Sequence, residues 1–182
     1  MEDASENEDE NTPPVKISLA ESNQQDRDNF TDAVYQTQMK ADVIESSTGQ
    51  ELMDELKDPY TVLPDMIFMD QHMDLDNGKD ALKEIKKDDD LKDIPTFIYT
   101  DSTSEKDIEK AYNSGADMYV EKPIFFRNLV RILRMIFTMQ WRRFFTKPSR
   151  ENFVVNEVQL NNEHGKSKGD SKSVSQPYDS RD

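Results

Sequence analysis

The sequence predicts an α/β fold, a doubly wound parallel sheet with helices on both faces. Three observations carry that expectation. Short apolar runs, of which Met66-Ile67-Phe68-Met69 is the clearest, alternate five times with segments whose apolar residues recur at helical spacing. A continuous apolar run bounded by turn residues reads as a strand covered on both faces, as parallel strands are. Most of these runs end in polar residues, and the carboxyl ends of strands in open α/β sheets are where ligands and chemistry collect.

The chain supports each element in order. Residues 1–14 hold Glu2, Asp3, Glu6, Glu8, Asp9 and Glu10 with no basic partner and close on Pro13-Pro14, so a disordered acidic leader is expected. Val15 to Ala20 forms the first strand and ends at Glu21-Ser22-Asn23. From Asp26, the spacing of Phe30, Ala33, Val34 and Thr37 predicts a helix, with Asp26 and Asp28 near its positive end. Ala41 to Glu45 is the second strand, and Leu52, Met53 and Leu56 mark a second helix stopped by Asp58-Pro59. Met66 to Met69 then delivers Asp70.

Asn77-Gly78 provides a turn, Ala81, Leu82 and Ile85 give the third helix its apolar face, and Asp88-Asp89-Asp90 reads as a solvated connection. Pro95 precedes the fourth strand, Thr96-Phe97-Ile98-Tyr99, which finishes at Thr100-Asp101. Ser104 reads as an N-cap, with Asp107 three residues on in a variant of the capping box. Ile108, Ala111 and Tyr112 supply the buried face of that helix, and Gly115 is placed to end it in the left-handed conformation. Met118-Tyr119-Val120 is the fifth strand, followed by Glu121-Lys122-Pro123 and a long last helix carrying Leu129, Ile132, Leu133, Ile136 and Trp141.

These elements define one domain over residues 15–145. Residues 146–182 are expected to be a mostly disordered tail, rich in Asn, Lys, Ser, Gly and Asp. Its apolar patch Phe153-Val154-Val155 reads as linker in preference to a docking peptide that lies back on the domain or on a partner.

Composition narrows the function classes. With 23 Lys and Arg against 38 Asp and Glu, the net charge of −15 disfavours non-specific nucleic-acid binding. A mean hydropathy of −0.91 reflects polar ends diluting an ordinary core. The absence of cysteine excludes disulfides, thiolate nucleophiles and cysteine-bound zinc, and the expected location is the cytoplasm. No run of about 18 apolar residues suggests a membrane span. The two histidines, His72 and His164, lie too far apart in sequence to suggest a metal pair.

Four polar positions fall at strand ends: Glu21-Ser22 after the first, Asp70 after the third, Thr100 closing the fourth, and Lys122 after the fifth. Their chemistry is coherent. A carboxylate is a competent nucleophile toward phosphorus when a metal and a cation neutralise charge on the phosphoryl oxygens. Asp70 would be that nucleophile and Lys122 that cation. Thr100 can hydrogen-bond a phosphoryl oxygen once it arrives, and Tyr119 can turn a local charge event into a changed surface.

From Val15 to Trp141 the chain resembles the receiver domain of two-component response regulators, of the stand-alone, CheY-like type. The resemblance rests on Asp70 in Asp-Gln-His-Met, Thr100, Tyr119 and Lys122-Pro123, in spacing as well as residue type. It implies a flavodoxin-like sheet with strand order 2-1-3-4-5 and makes Asp70 the phosphoacceptor, Thr100 and Lys122 the phosphoryl-binding residues and Tyr119 the aromatic switch. The implied metal is Mg2+, held by Glu21, Asp70 and the backbone carbonyl of His72. The family's Lys-Pro peptide is usually cis. The implied partners are a sensor histidine kinase or a histidine phosphotransfer protein, with an unknown output protein and a homodimer through the last helix.

Three departures modify the expectation. Ser22 stands where the family carries a metal-binding carboxylate, which should weaken Mg2+ binding. Asp101 follows the strand-four hydroxyl where a small residue is usual, and either repels a phosphoryl group or supplies a metal oxygen. Asp74 replaces the usual proline in Met73-Asp74-Leu75-Asp76-Asn77-Gly78. Arg127, Arg131, Arg134, Arg142 and Arg143 line the last helix among Phe137, Phe144 and Phe145, and read as a solvated face in preference to a partner surface.

The function expected is phosphorelay signalling by an aspartyl-phosphate protein that is not an enzyme. The alternative is a pseudo-receiver that binds partners without phosphorylation. A turnover phosphatase of the haloacid-dehalogenase type ranks last, because His72 stands where its second acid would be.

Overall fold

Alternate residues of each strand face opposite sides of the sheet, and that alternation sorts the core into two layers. The structure, a computed structural model, describes residues 13–139 and 148–158. Its strands are β1 (Val15–Ala20), β2 (Ala41–Ser46), β3 (Met66–Met69), β4 (Thr96–Thr100), β5 (Met118–Glu121) and β6 (Val154–Val155). Its helices are α1 (Gln24–Gln36), α2 (Gly49–Lys57), α3 (Ala81–Lys87), α4 (Glu105–Asn113) and α5 (Phe126–Thr138). The sheet is parallel throughout, in the order β2-β1-β3-β4-β5-β6.

On one side, Ile17, Leu19, Phe68, Phe97, Tyr99 and Val120 pack against α1 and α5. Aromatic rings tie this layer together, with Phe30 of α1 4.9 Å from Phe68 and 5.3 Å from Tyr99. On the other side, Ala20, Ile67, Met69, Ile98 and Tyr119 pack against α2, α3 and α4. Every residue of β3 and β4 is buried, as their unbroken apolar runs require. Full burial of one Leu, Ile or Phe side chain contributes about 1.5–3 kcal/mol, so both layers are needed to hold the sheet.

Local signals place most boundaries. Asn23 accepts from Asp26 N–H and starts α1 two residues ahead of Asp26. Thr48 and Asp80 cap α2 and α3 in the same way. Gly78, at φ 76°, makes the expected turn. Gly115, at φ 97°, ends α4 with Gly115 N–H donating to Tyr112 O and Ala116 N–H to Ala111 O, a Schellman closure.

Three expectations are corrected, and the Lys122-Pro123 peptide, whose geometry the sequence leaves open, is not cis. Ser104 occupies the N-cap of α4 but makes no side-chain cap; Asp107 instead accepts from Ser102 Oγ at 2.7 Å, so the capping box does not form. The sheet has a sixth strand, because Phe153-Val154-Val155 lies back on the domain: Phe153 is fully buried, and Val154 and Val155 pair with Tyr119 and Val120. The domain therefore takes in residues from the segment read as tail. Trp141, Arg142, Arg143, Phe144, Phe145 and His164 lie outside the described residues, as do residues 1–12 of the leader and 159–182 of the tail.

Candidate functional site

The carboxyl ends of β1, β3, β4 and β5 meet at one rim, and there Lys122 is the centre of charge. Its backbone N–H donates to Thr100 O at 2.8 Å, continuing the β4–β5 ladder past the strand end. Its ammonium is nearly buried and lies 2.7 Å from Glu21 Oε2, 2.7 Å from Asp26 Oδ2 and 3.8 Å from Asp101 Oδ2. The Tyr99 ring lies beneath it, 5.3 Å from the ring centroid. Burial lowers the Lys122 pKa, but the hydrogen bonds and charges of Asp26 and Glu21 outweigh it and leave the group raised. Lys122 is a fixed cation. Burial, then Asp26, Glu21 and Asp101, pushes the Tyr99 phenol well up, so it stays neutral beside those carboxylates.

Glu21 is held from both sides. Its Oε1 accepts from Asn23 N–H at 2.8 Å while Oε2 serves Lys122. Arg27 of α1 donates through Nη1 to the carbonyls of Glu21 and Ser22, and its Nε pairs with Glu45 at 3.5 Å. The Ser22 side chain is exposed and takes no part in the pairing with Lys122.

Asp70 follows β3, with its N–H donating to Ala20 O at 2.9 Å and its Oδ1 accepting from Gln71 N–H at 2.6 Å. Among the described residues, Oδ2 has no hydrogen-bond partner and Asp70 forms no ion pair with Lys122. The expected nucleophile and cation thus share the rim, but the cation is engaged elsewhere. His72 is exposed two residues on.

Thr100 is buried, and its Oγ1 accepts from Ser102 N–H at 3.4 Å. Tyr119 is fully buried, and its one hydroxyl hydrogen serves two acceptors, Ser102 O and Gln71 Oε1, each at 2.9 Å. Burial raises its pKa to about 12, so the phenol remains a donor throughout the neutral range. Asp107 extends this network: the Ser102 hydroxyl, against a smaller opposing effect of burial, holds its carboxyl below the usual range, and Gln71 adds to it. A chain of hydrogen bonds therefore runs from the residue after Asp70 to the first turn of α4.

Asp26, Arg27, Gln71 and Ser102 are functional neighbours that sequence reasoning did not place here. A signal for Asp26 existed. A carboxylate in the first turn of the helix that follows β1 must lie near the rim where β1 ends.

Glu21, Asp70 and the His72 carbonyl are hard oxygen donors of the kind Mg2+ takes, so they fit the ion in chemistry. The fit is contested by Lys122, which already holds Glu21 Oε2, and no three acidic or histidine side chains gather as a metal cluster among the described residues.

The response regulator receiver domain family matches residues 17–134, and the chain belongs to that family. Receiver domains are signalling modules. Among the relatives is the response regulator Rcp1 of Synechocystis, 26% identical over 142 residues, which cover 70% of this chain and 88% of Rcp1. A second is the probable methanogenesis regulatory protein FilR2 of Methanothrix harundinacea, 32% identical over 83 residues, covering 44% of this chain and 54% of FilR2. The chain thus spans about half the length of that relative. Among solved structures, the phosphorylated cyanobacterial phytochrome response regulator RcpA superposes with a TM-score of 0.62 at 29% identity, covering 75% of this chain and 99% of RcpA. The Mn2+-bound form of Rcp1 does so with a TM-score of 0.61 at 25% identity, covering 75% and 100%. No described helix is long and apolar enough to cross a membrane.

Proposed function

We propose that this receiver accepts a phosphoryl group on Asp70 from a histidine kinase or a histidine phosphotransfer protein, acts in the cytoplasm and signals by protein–protein contact. The observation that carries the reading is the placement of Asp70, backbone-anchored at the end of β3 with Oδ2 unengaged among the described residues, on the rim that also presents Lys122 and Thr100.

In the transfer, Asp70 Oδ2 attacks phosphorus, the P–N bond of the phosphohistidine breaks, and the imidazole leaves. Lys122 stays protonated and, once released from Asp26, offers its charge to a phosphoryl oxygen. The Thr100 hydroxyl turns from Ser102 N–H to donate to another. The Ser102 segment then shifts, and an acceptor of the Tyr119 hydroxyl moves with it. Glu21, Asp70 and the His72 carbonyl would hold Mg2+, which when bound supplies neutralisation of phosphoryl charge. The Mn2+ named for Rcp1 supports a divalent ion of this kind.

A pseudo-receiver is the second reading, favoured by one observation: Lys122 is committed to Glu21 and Asp26 rather than to Asp70. Intact-protein mass spectrometry after incubation with acetyl phosphate and Mg2+ separates the two. A gain of about 80 Da on the wild type and none on Asp70→Asn is the expected outcome. No gain from acetyl phosphate or from a phosphorylated histidine phosphotransfer protein would sink the acceptor reading in favour of the second.

A further inference from the structure

A five-stranded receiver sheet would leave the outer edge of β5 open, and this chain closes that edge with its own residues. Four contacts seat the segment, and together they reach α4, β5 and α5. Arg150 reaches α4, with Nη2 2.5 Å from Glu105 Oε2 and Nε 3.1 Å from Glu109 Oε2. The Phe153 ring is fully buried, edge-on to Tyr112 of α4 at 5.0 Å and 6.3 Å from Tyr119 of β5. Tyr119 N–H donates to Phe153 O at 2.9 Å, and β6 runs parallel to β5 in the register Tyr119 with Val154 and Val120 with Val155. Glu157 Oε1 accepts from Phe125 N–H at 3.1 Å and Asn128 Nδ2 at 3.0 Å, capping a helix whose own N-cap residue, Phe125, makes no side-chain cap.

This is the contact set of strand addition, in which the backbone ladder supplies affinity and side-chain pockets supply specificity. The seat is also one that a competitor can match. Its ladder spans two residues at a sheet edge, and Arg150 pairs with carboxylates that are largely exposed, at 83% and 55%, where ion pairs contribute little.

We propose that the groove along β5 between α4 and α5 is a peptide-binding site whose resident ligand in cis is residues 150–157. Its partner in trans is a protein presenting an extended segment of the same pattern: a basic residue, an aromatic three positions later, two β-branched residues and an acid two positions beyond them. The resident segment holds the groove by effective concentration rather than by strength of contact. Tyr119 forms the floor of the groove and also belongs to the Gln71–Ser102 network beside Asp70, so phosphoryl transfer would alter the seat. That last link rests on the phosphoacceptor reading; the groove does not.

The test uses the full chain and a fluorescein-labelled peptide of residues 148–158, read by fluorescence anisotropy. Phe153→Ala loosens the resident segment, and the variant is expected to bind the peptide about tenfold or more tighter than wild type, whose groove is filled. A peptide with the same Phe→Ala change should not bind. Because Phe153 is buried, a second variant, Arg150→Glu with Glu157→Gln, loosens the surface contacts alone and should show a smaller gain in the same direction. Equal binding of both peptides, or no gain in the second variant with its melting transition intact, overturns the proposal. Repeating the measurement in Asp70→Asn separates it from the phosphoacceptor reading, since peptide binding should survive that change.

Discussion

The ammonium of Lys122 faces three carboxylates, and its two short contacts go to Glu21 and Asp26 rather than to Asp70. The charge that a phosphoryl group needs is therefore held in reserve. Asp26 contributes doubly to that state, by holding Lys122 and by adding negative charge at the rim. The Asp26→Asn variant keeps the size of the side chain, removes the charge and leaves Glu21 to hold Lys122. Relief of one nearby like charge is worth on the order of 1 kcal/mol at intermediate dielectric, so phosphorylation by acetyl phosphate should speed up about fivefold. Stopped-time mass spectrometry measures it. A slower reaction would mean that Asp26 serves the acceptor as a ligand or positioner rather than as a competitor for Lys122.

At the scale of elements, α2 meets the loop after β3 through a residue with no side chain. A Cβ on Gly49 would sit 2.7 Å from Met73 O and 2.8 Å from Asp74 O, both backbone atoms that cannot swing aside. Gly→Ala inside a helix ordinarily gains up to about 1 kcal/mol, but here the clash should reverse the sign and cost about 1–3 kcal/mol. Urea unfolding of Gly49→Ala would show the midpoint falling.

This contact also marks what the sequence could and could not reveal. Five strands and five helices were legible because the strands are short apolar runs and the helices carry apolar residues at helical spacing, and because Asn77-Gly78 and Gly115 punctuate them. Asp70, Thr100 and Lys122 were legible as residues at strand ends, which a parallel sheet brings to one rim, and Tyr119 as a residue within the fifth strand. The sixth strand was not: Val154-Val155 is two residues in a polar stretch, and it becomes a strand only through the β5 edge it finds. Asp26 read as a dipole partner because its contact with Lys122 spans 96 positions that no local pattern links. Ser104 fails as a cap for the converse reason: Ser102, two residues earlier, holds the Asp107 carboxylate.

The whole molecule carries a net charge of −15, and within its fold one carboxyl is held against its ordinary ionisation. Glu55 of α2 accepts from Ser18 Oγ of β1 at 2.7 Å through Oε1, while its Oε2 is buried without a hydrogen-bond partner among the described residues. Burial raises its pKa from 4.5 more than Ser18 and the nearby Ser46 lower it. Between 4.5 and the raised folded value the native state binds more protons than the unfolded chain, so stability falls as pH rises through that window. Self-repulsion of the acidic surface acts in the same direction. The carboxylates whose pKa is lowered, Asp107 and Glu157 among them, oppose it only in more acidic solution, as they become protonated. Glu55→Gln preserves the acceptor for Ser18, offers an amide N–H toward Ser46 and removes the buried charge. Its melting temperature should exceed that of wild type by about 3 °C in solution more basic than the raised Glu55 value, and the gap should close once the solution is more acidic than the ordinary glutamate value. Thermal melts at both pH values decide it: a gap that does not change with pH would place the effect in packing and not in the charge of Glu55.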